Sequence, residues 1–86
     1  MATRSLLSGR SQQRLIELHR TANSAVQELH QHQTLLVGAL LSCDESTQRQ
    51  MLDEHRAIAA CAIEALVKLG AFLDRCRIAP ETLEQA

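Results

Sequence analysis

The chain has 86 residues, a formal net charge of −1, and 45% apolar against 22% charged residues. That is one domain at most, with too much apolar content for a disordered chain and too little basic charge to collect phosphate counterions non-specifically. With a single aromatic residue, one proline and three glycines, the sequence lacks what β-sheets and their turns use, and an all-α fold is expected.

Residues 1–10 sustain no apolar period and contain Ser8-Gly9, so they read as a flexible N-terminal arm. A helix is expected over about 11–42. Apolar or small residues recur there at Leu15, Leu18, Ala22, Ala25, Leu29, Leu36 and Ala39 in steps of three and four, and His32 is the one polar interruption. The segment after it, Ser42-Cys43-Asp44-Glu45-Ser46, carries turn and capping chemistry. Ser42 with Glu45 spells a capping box, and Asp44 and Ser46 are candidate N-caps.

A second helix is expected over about 46–76, with the same cadence at Leu52, His55, Ala59, Ala62, Leu66, Leu69, Leu73 and Cys76. Residues 77–86 contain Pro80, which forbids simple continuation, and read as a C-terminal tail or short helical turn. Gly38 and Gly70 fall inside the helical patterns, where they are expected to permit close helix approach.

Two helices of similar length around a short loop make an antiparallel αα-hairpin. If the chain reverses between Cys43 and Asp44, facing residue numbers sum to about 87: Leu36 meets Met51, His32 meets His55, Leu29 meets Ile58, Ala25 meets Ala62, and Leu15 meets Phe72. Small residues then face small ones at mid-height and large ones face large ones at the ends. The intrachain seam is expected to comprise Ala22, Ala25, Leu29, Ala62, Leu66 and Leu69.

One seam leaves apolar residues over. Ala60, Ile63, Val67 and Gly70 form a second stripe on the second helix, and Val26, Leu35, Val37, Leu40 and Leu41 exceed what a seam on the first needs. The stripe of Ala60, Ile63, Val67 and Gly70 is the candidate association face, and dimerisation into a four-helix bundle is the simplest way to cover it. A heterologous helical partner is the alternative occupant.

Little in the sequence points to chemistry. The three cysteines are far apart, without metal-ligand or redox spacing, and suit a reducing, cytoplasmic setting. Cys61, in the apolar run 57–63, and Cys76, on the seam, are expected to be buried, and Cys43 in the loop accessible. No base and orienter accompany any of them, so an enzyme is not expected, and no cofactor is called for. The longest apolar runs, 35–41 and 57–63, have seven residues each, far below the roughly 18–20 that span a bilayer, so no membrane segment is expected. His32 and His55 are the candidate metal ligands: at one level of the hairpin, two such pairs in a dimer would gather four imidazoles suited to a transition metal or haem. The bland reading makes them polar interruptions that fix register.

The architecture, though no motif, resembles the Rop-like RNA-binding bundles of plasmid copy control, themselves dimers of hairpins. Arg10, Arg14 and Arg20 on the first helix are the residues that likeness singles out. In size and amphipathic character the hairpin also resembles small co-chaperones and regulators of bacterial secretion, in which one apolar face binds another helix. The expected function is therefore a small non-enzymatic protein–protein interaction module, with metal or haem binding at His32 and His55 and Rop-like RNA binding as alternatives. Nucleic acid is otherwise not expected as a partner for a chain of this charge.

Overall fold

A computed structural model describes residues 6–78 and shows two long α-helices, α1 (Gly9–Ser42) and α2 (Glu45–Ile78), packed against each other as an antiparallel hairpin. Each helix has 34 residues, or about 51 Å at 1.5 Å per residue. The α1 start precedes the expected one because Ser8 caps it: the Ser8 Oγ accepts from the Ser11 backbone N–H at 3.2 Å, and the Ser8 carbonyl accepts from Gln12 N–H at 2.9 Å. A serine just ahead of the periodic segment was the available signal. At the other end α2 runs two residues past 76, and the tail around Pro80 lies outside the described residues.

The loop is short because each of its residues closes a helix end. Cys43 N–H donates to the Ala39 carbonyl at 2.8 Å, ending α1, and Gln48 N–H donates to the Asp44 carbonyl at 3.0 Å, beginning α2. The expected Ser42–Glu45 capping box does not form. Ser42 is still helical, and its Oγ donates back to the Gly38 carbonyl at 2.7 Å, a local bond that competes with capping. Asp44 takes the cap position instead, accepting from the Thr47 hydroxyl. That bond, with the backbone N–H groups of Ser46 and Thr47, holds the Asp44 carboxyl below the usual carboxylate range. The Gln48 side chain then reaches back to the Leu40 and Cys43 carbonyls at 3.3 and 3.0 Å, which ties the new helix to the end of the old one.

The core is one seam. On α1 the buried residues are Ser11, Leu18, Ala22, Leu36 and Ala39, with Leu15, Ala25, Leu29 and His32 half-buried between them, as the periodicity anticipates. On α2 the expectation is half corrected. Ala62, Ala65 and Phe72 are buried and Met51, His55, Ile58, Ala59, Leu69 and Cys76 half-buried, whereas Leu52, Leu66 and Leu73 point outward, each about half exposed. The cause is a choice between adjacent stripes. Mid-hairpin, Ala22 at 2% and Ala62 at 1% exposure bring the helices close together, and α2 meets α1 with its smaller residues while the leucines flank the contact.

Two further expectations fail on contact distances. Neither Gly38 nor Gly70 lies at a close approach, since a Cβ built on either meets no atom within 4 Å. They are exposed helix-interior glycines that cost helix stability without a packing return, so Gly38→Ala is expected to raise unfolding free energy by about 1 kcal/mol in a urea titration. A destabilisation would mean that something packs on Gly38. Cys61, expected in the core, is exposed, as is Cys43, and Cys76 is half-buried.

Among the described residues, the Lys and Arg ion pairs all lie within one helix. Arg14–Glu17, Glu45–Arg49, Glu64–Lys68 and Asp74–Arg77 have N···O distances of 3.9, 2.8, 3.1 and 3.8 Å. Exposed pairs of this kind contribute a few tenths of a kcal/mol each to helix stability and nothing to the choice of neighbour. The helices are held together by the seam.

Candidate functional site: an apolar face and a buried histidine pair

In an antiparallel pair of right-handed helices, residues one position C-terminal to seam positions fall on the same side of both helices. On this side α1 presents Ile16, Val26, Val37 and Leu40, and α2 presents Leu52, Ala59, Ile63, Leu66, Gly70 and Leu73. All the large aliphatics among them are 39–60% exposed. The opposite side is polar. There Arg14, Glu17, Thr21 and Lys68 line a shallow groove over Leu18 and Ala65. The hairpin is therefore amphipathic as a unit, with one wall of aliphatic side chains and one of charges.

All four residues of the candidate association stripe are exposed. Ile63, at 60%, and Gly70 stand on the aliphatic wall, whereas Ala60 and Val67 lie farther round α2 on its outer side. The leucines that the cadence assigned to the seam, Leu52, Leu66 and Leu73, lie on the wall as well. The surplus of apolar residues is evident from the sequence, but the boundary between seam and wall on α2 falls one position away from the expected one. Leu35 and Leu41, at 64% and 83% exposure, do not belong to the wall and stand alone on other sides of α1.

His32 and His55 meet across the hairpin, as the sum of 87 anticipates. Their Nδ1 atoms are 3.4 Å apart and their ring centroids 5.6 Å apart, with 25° between planes. Centroids that far apart with nitrogens this close place the rings edge to edge through their Nδ1 corners, not face to face. The His32 side chain is only 11% exposed, and its Nε2 is buried without a hydrogen-bond partner. Glu54, which the sequence reading passed over, brings Oε2 to 3.5 Å from that Nε2. This is beyond a good hydrogen bond but close enough for the carboxylate to favour the tautomer with the proton on Nε2. The His32 Nδ1 lone pair then faces His55. No group of three or more His, Cys, Asp or Glu side chains is gathered for a metal among the described residues.

His19 and His30 are exposed and apart from this pair. Arg10, Arg14 and Arg20 are exposed too, but helical rotation puts Arg20 on a different side from the other two, and Arg14 faces Glu17. No helix among the described residues is long and apolar enough to cross a membrane. No protein-family model, curated protein or solved structure matches this chain.

Proposed function

We propose that this hairpin is a small non-enzymatic interaction module whose aliphatic wall closes on a second copy of itself, giving a four-helix bundle. The carrying observation is the confinement of partly exposed Ile16, Val26, Val37, Leu40, Leu52, Ile63, Leu66 and Leu73 to one side of a single-layer fold. Scattered apolar residues need no explanation, but a continuous row does.

A second copy suits the wall better than a lone helix because the wall is two helices wide and runs most of their length. Eight partly exposed aliphatic side chains line it, and a standard stable interface buries roughly 800 Å² per partner. One hairpin laid on another covers both walls at once and supplies the second layer that a helical core requires. An adaptor, regulator or co-chaperone role, with the bundle as the functional unit, fits a chain whose cysteines have no base beside them. Three free thiols suit a reducing, cytoplasmic compartment.

Light scattering after size exclusion tests the reading. The expected mass is twice 9.5 kDa, constant over a concentration series at micromolar levels and above. A mass of one chain throughout that series would refute the self-association.

A further inference from the structure

We propose that His32 and His55 form a binding site for one borderline divalent metal ion of the Zn²⁺ or Co²⁺ class, held between the helices by their two Nδ1 atoms. The first support is a distance. Tetrahedral zinc with Zn–N bonds of about 2.0–2.1 Å separates two nitrogen ligands by about 3.3–3.4 Å. The observed Nδ1···Nδ1 separation is 3.4 Å. The same value is long for an N–H···N hydrogen bond, so the pair is spaced more like a chelate edge than a proton bridge.

The second support is independent and lies on the far side of His32. Metal-bound imidazoles donate their other ring N–H to a carboxylate or carbonyl, which fixes the tautomer and turns the lone pair toward the metal. Here the buried Nε2 of His32 has no hydrogen-bond partner, and the Glu54 carboxylate stands 3.5 Å away. A slight rotation of the ring closes that contact. Metal binding gives it a reason to close, because the bound cation makes the Nε2 proton more acidic and Glu54 supplies a countercharge. In His55 the ring proton occupies Nε2 when Nδ1 binds. Water completes the coordination, since no third protein ligand is gathered there.

Titration of the full chain with Co²⁺ at neutral pH tests the site through the change in the visible d–d absorption of cobalt when imidazole replaces water. The expected result is saturable binding of one ion per chain that Zn²⁺ displaces. His55→Ala and His55→Gln should both abolish it, while Glu54→Gln should weaken it about tenfold; circular dichroism should show the helices intact in each. Absence of a saturable change in the cobalt spectrum of the folded wild type would overturn the proposal. So would a signal that survives both His55 variants, or one accompanied by thiolate-to-cobalt charge transfer, which would assign the metal to the cysteines.

Discussion

Phe72→Ala is expected to lower the unfolding free energy by about 3–5 kcal/mol, the range for removing a buried aromatic side chain. Phe72 is 6% exposed and is the one aromatic residue of the chain. It fills the end of the seam away from the loop, where α2 meets the first turns of α1, and the Arg75 guanidinium lies 5.8 Å from its ring centroid. The rest of the buried apolar set is two leucines, Leu18 and Leu36, and four alanines, with no large side chain fully enclosed. So small a core leaves little reserve. Urea unfolding followed by circular dichroism, at fixed chain concentration, should show a midpoint near zero denaturant or a chain already unfolded. A loss below about 1 kcal/mol would mean that the open end of the hairpin is not packed as described.

If two copies pair through the aliphatic wall, Leu66→Glu is expected to leave single chains. Leu66 is 48% exposed in the hairpin and sits near the middle of the aliphatic wall, between Ile63 and Leu73. In a lone hairpin the glutamate would reach water at little cost. Buried between two copies, it would be unpaired, and the twofold would place it in the interface twice, with each unpaired charge costing several kcal/mol. Ile63→Glu should act the same way. Leu35→Glu is the control, because Leu35 is more exposed, at 64%, but lies off the wall. Light scattering should give one-chain mass for the first two variants and two-chain mass for the third. The reverse pattern would move the interface to the polar side, and no effect from any of them would remove the wall from the account.

Much of the hairpin is legible without coordinates, and the reasons differ by element. The α1 seam reads cleanly because it carries a single apolar stripe and a three–four spacing points to one side only. The level of His32 opposite His55 follows from chain reversal at Cys43 and Asp44, since a short loop leaves two antiparallel helices little freedom of register. The capping of the loop is less readable. Ser42, Asp44 and Ser46 all have the chemistry, and the last turn of α1 decides among them by using the Ser42 hydroxyl for its own Gly38 carbonyl. Glu54 stayed hidden because nothing in its spacing marks it. Its interest arises only once His32 Nε2 is known to be buried beside it.

Periodicity and short-loop geometry are local properties, and from them follow the two-helix architecture, the reversal between the helices and the facing of His32 with His55. Which of two apolar stripes on α2 faces inward is settled by packing between the helices. An α-helix drifts about 20° per heptad against an ideal 3.5-residue repeat, so over a helix of this length Leu66 and Leu73 compete evenly with Ala65 and Phe72 on spacing alone. The burial of Ala22, Ala62 and Ala65 settles it, since a seam of alanines leaves the leucines to form the wall outside.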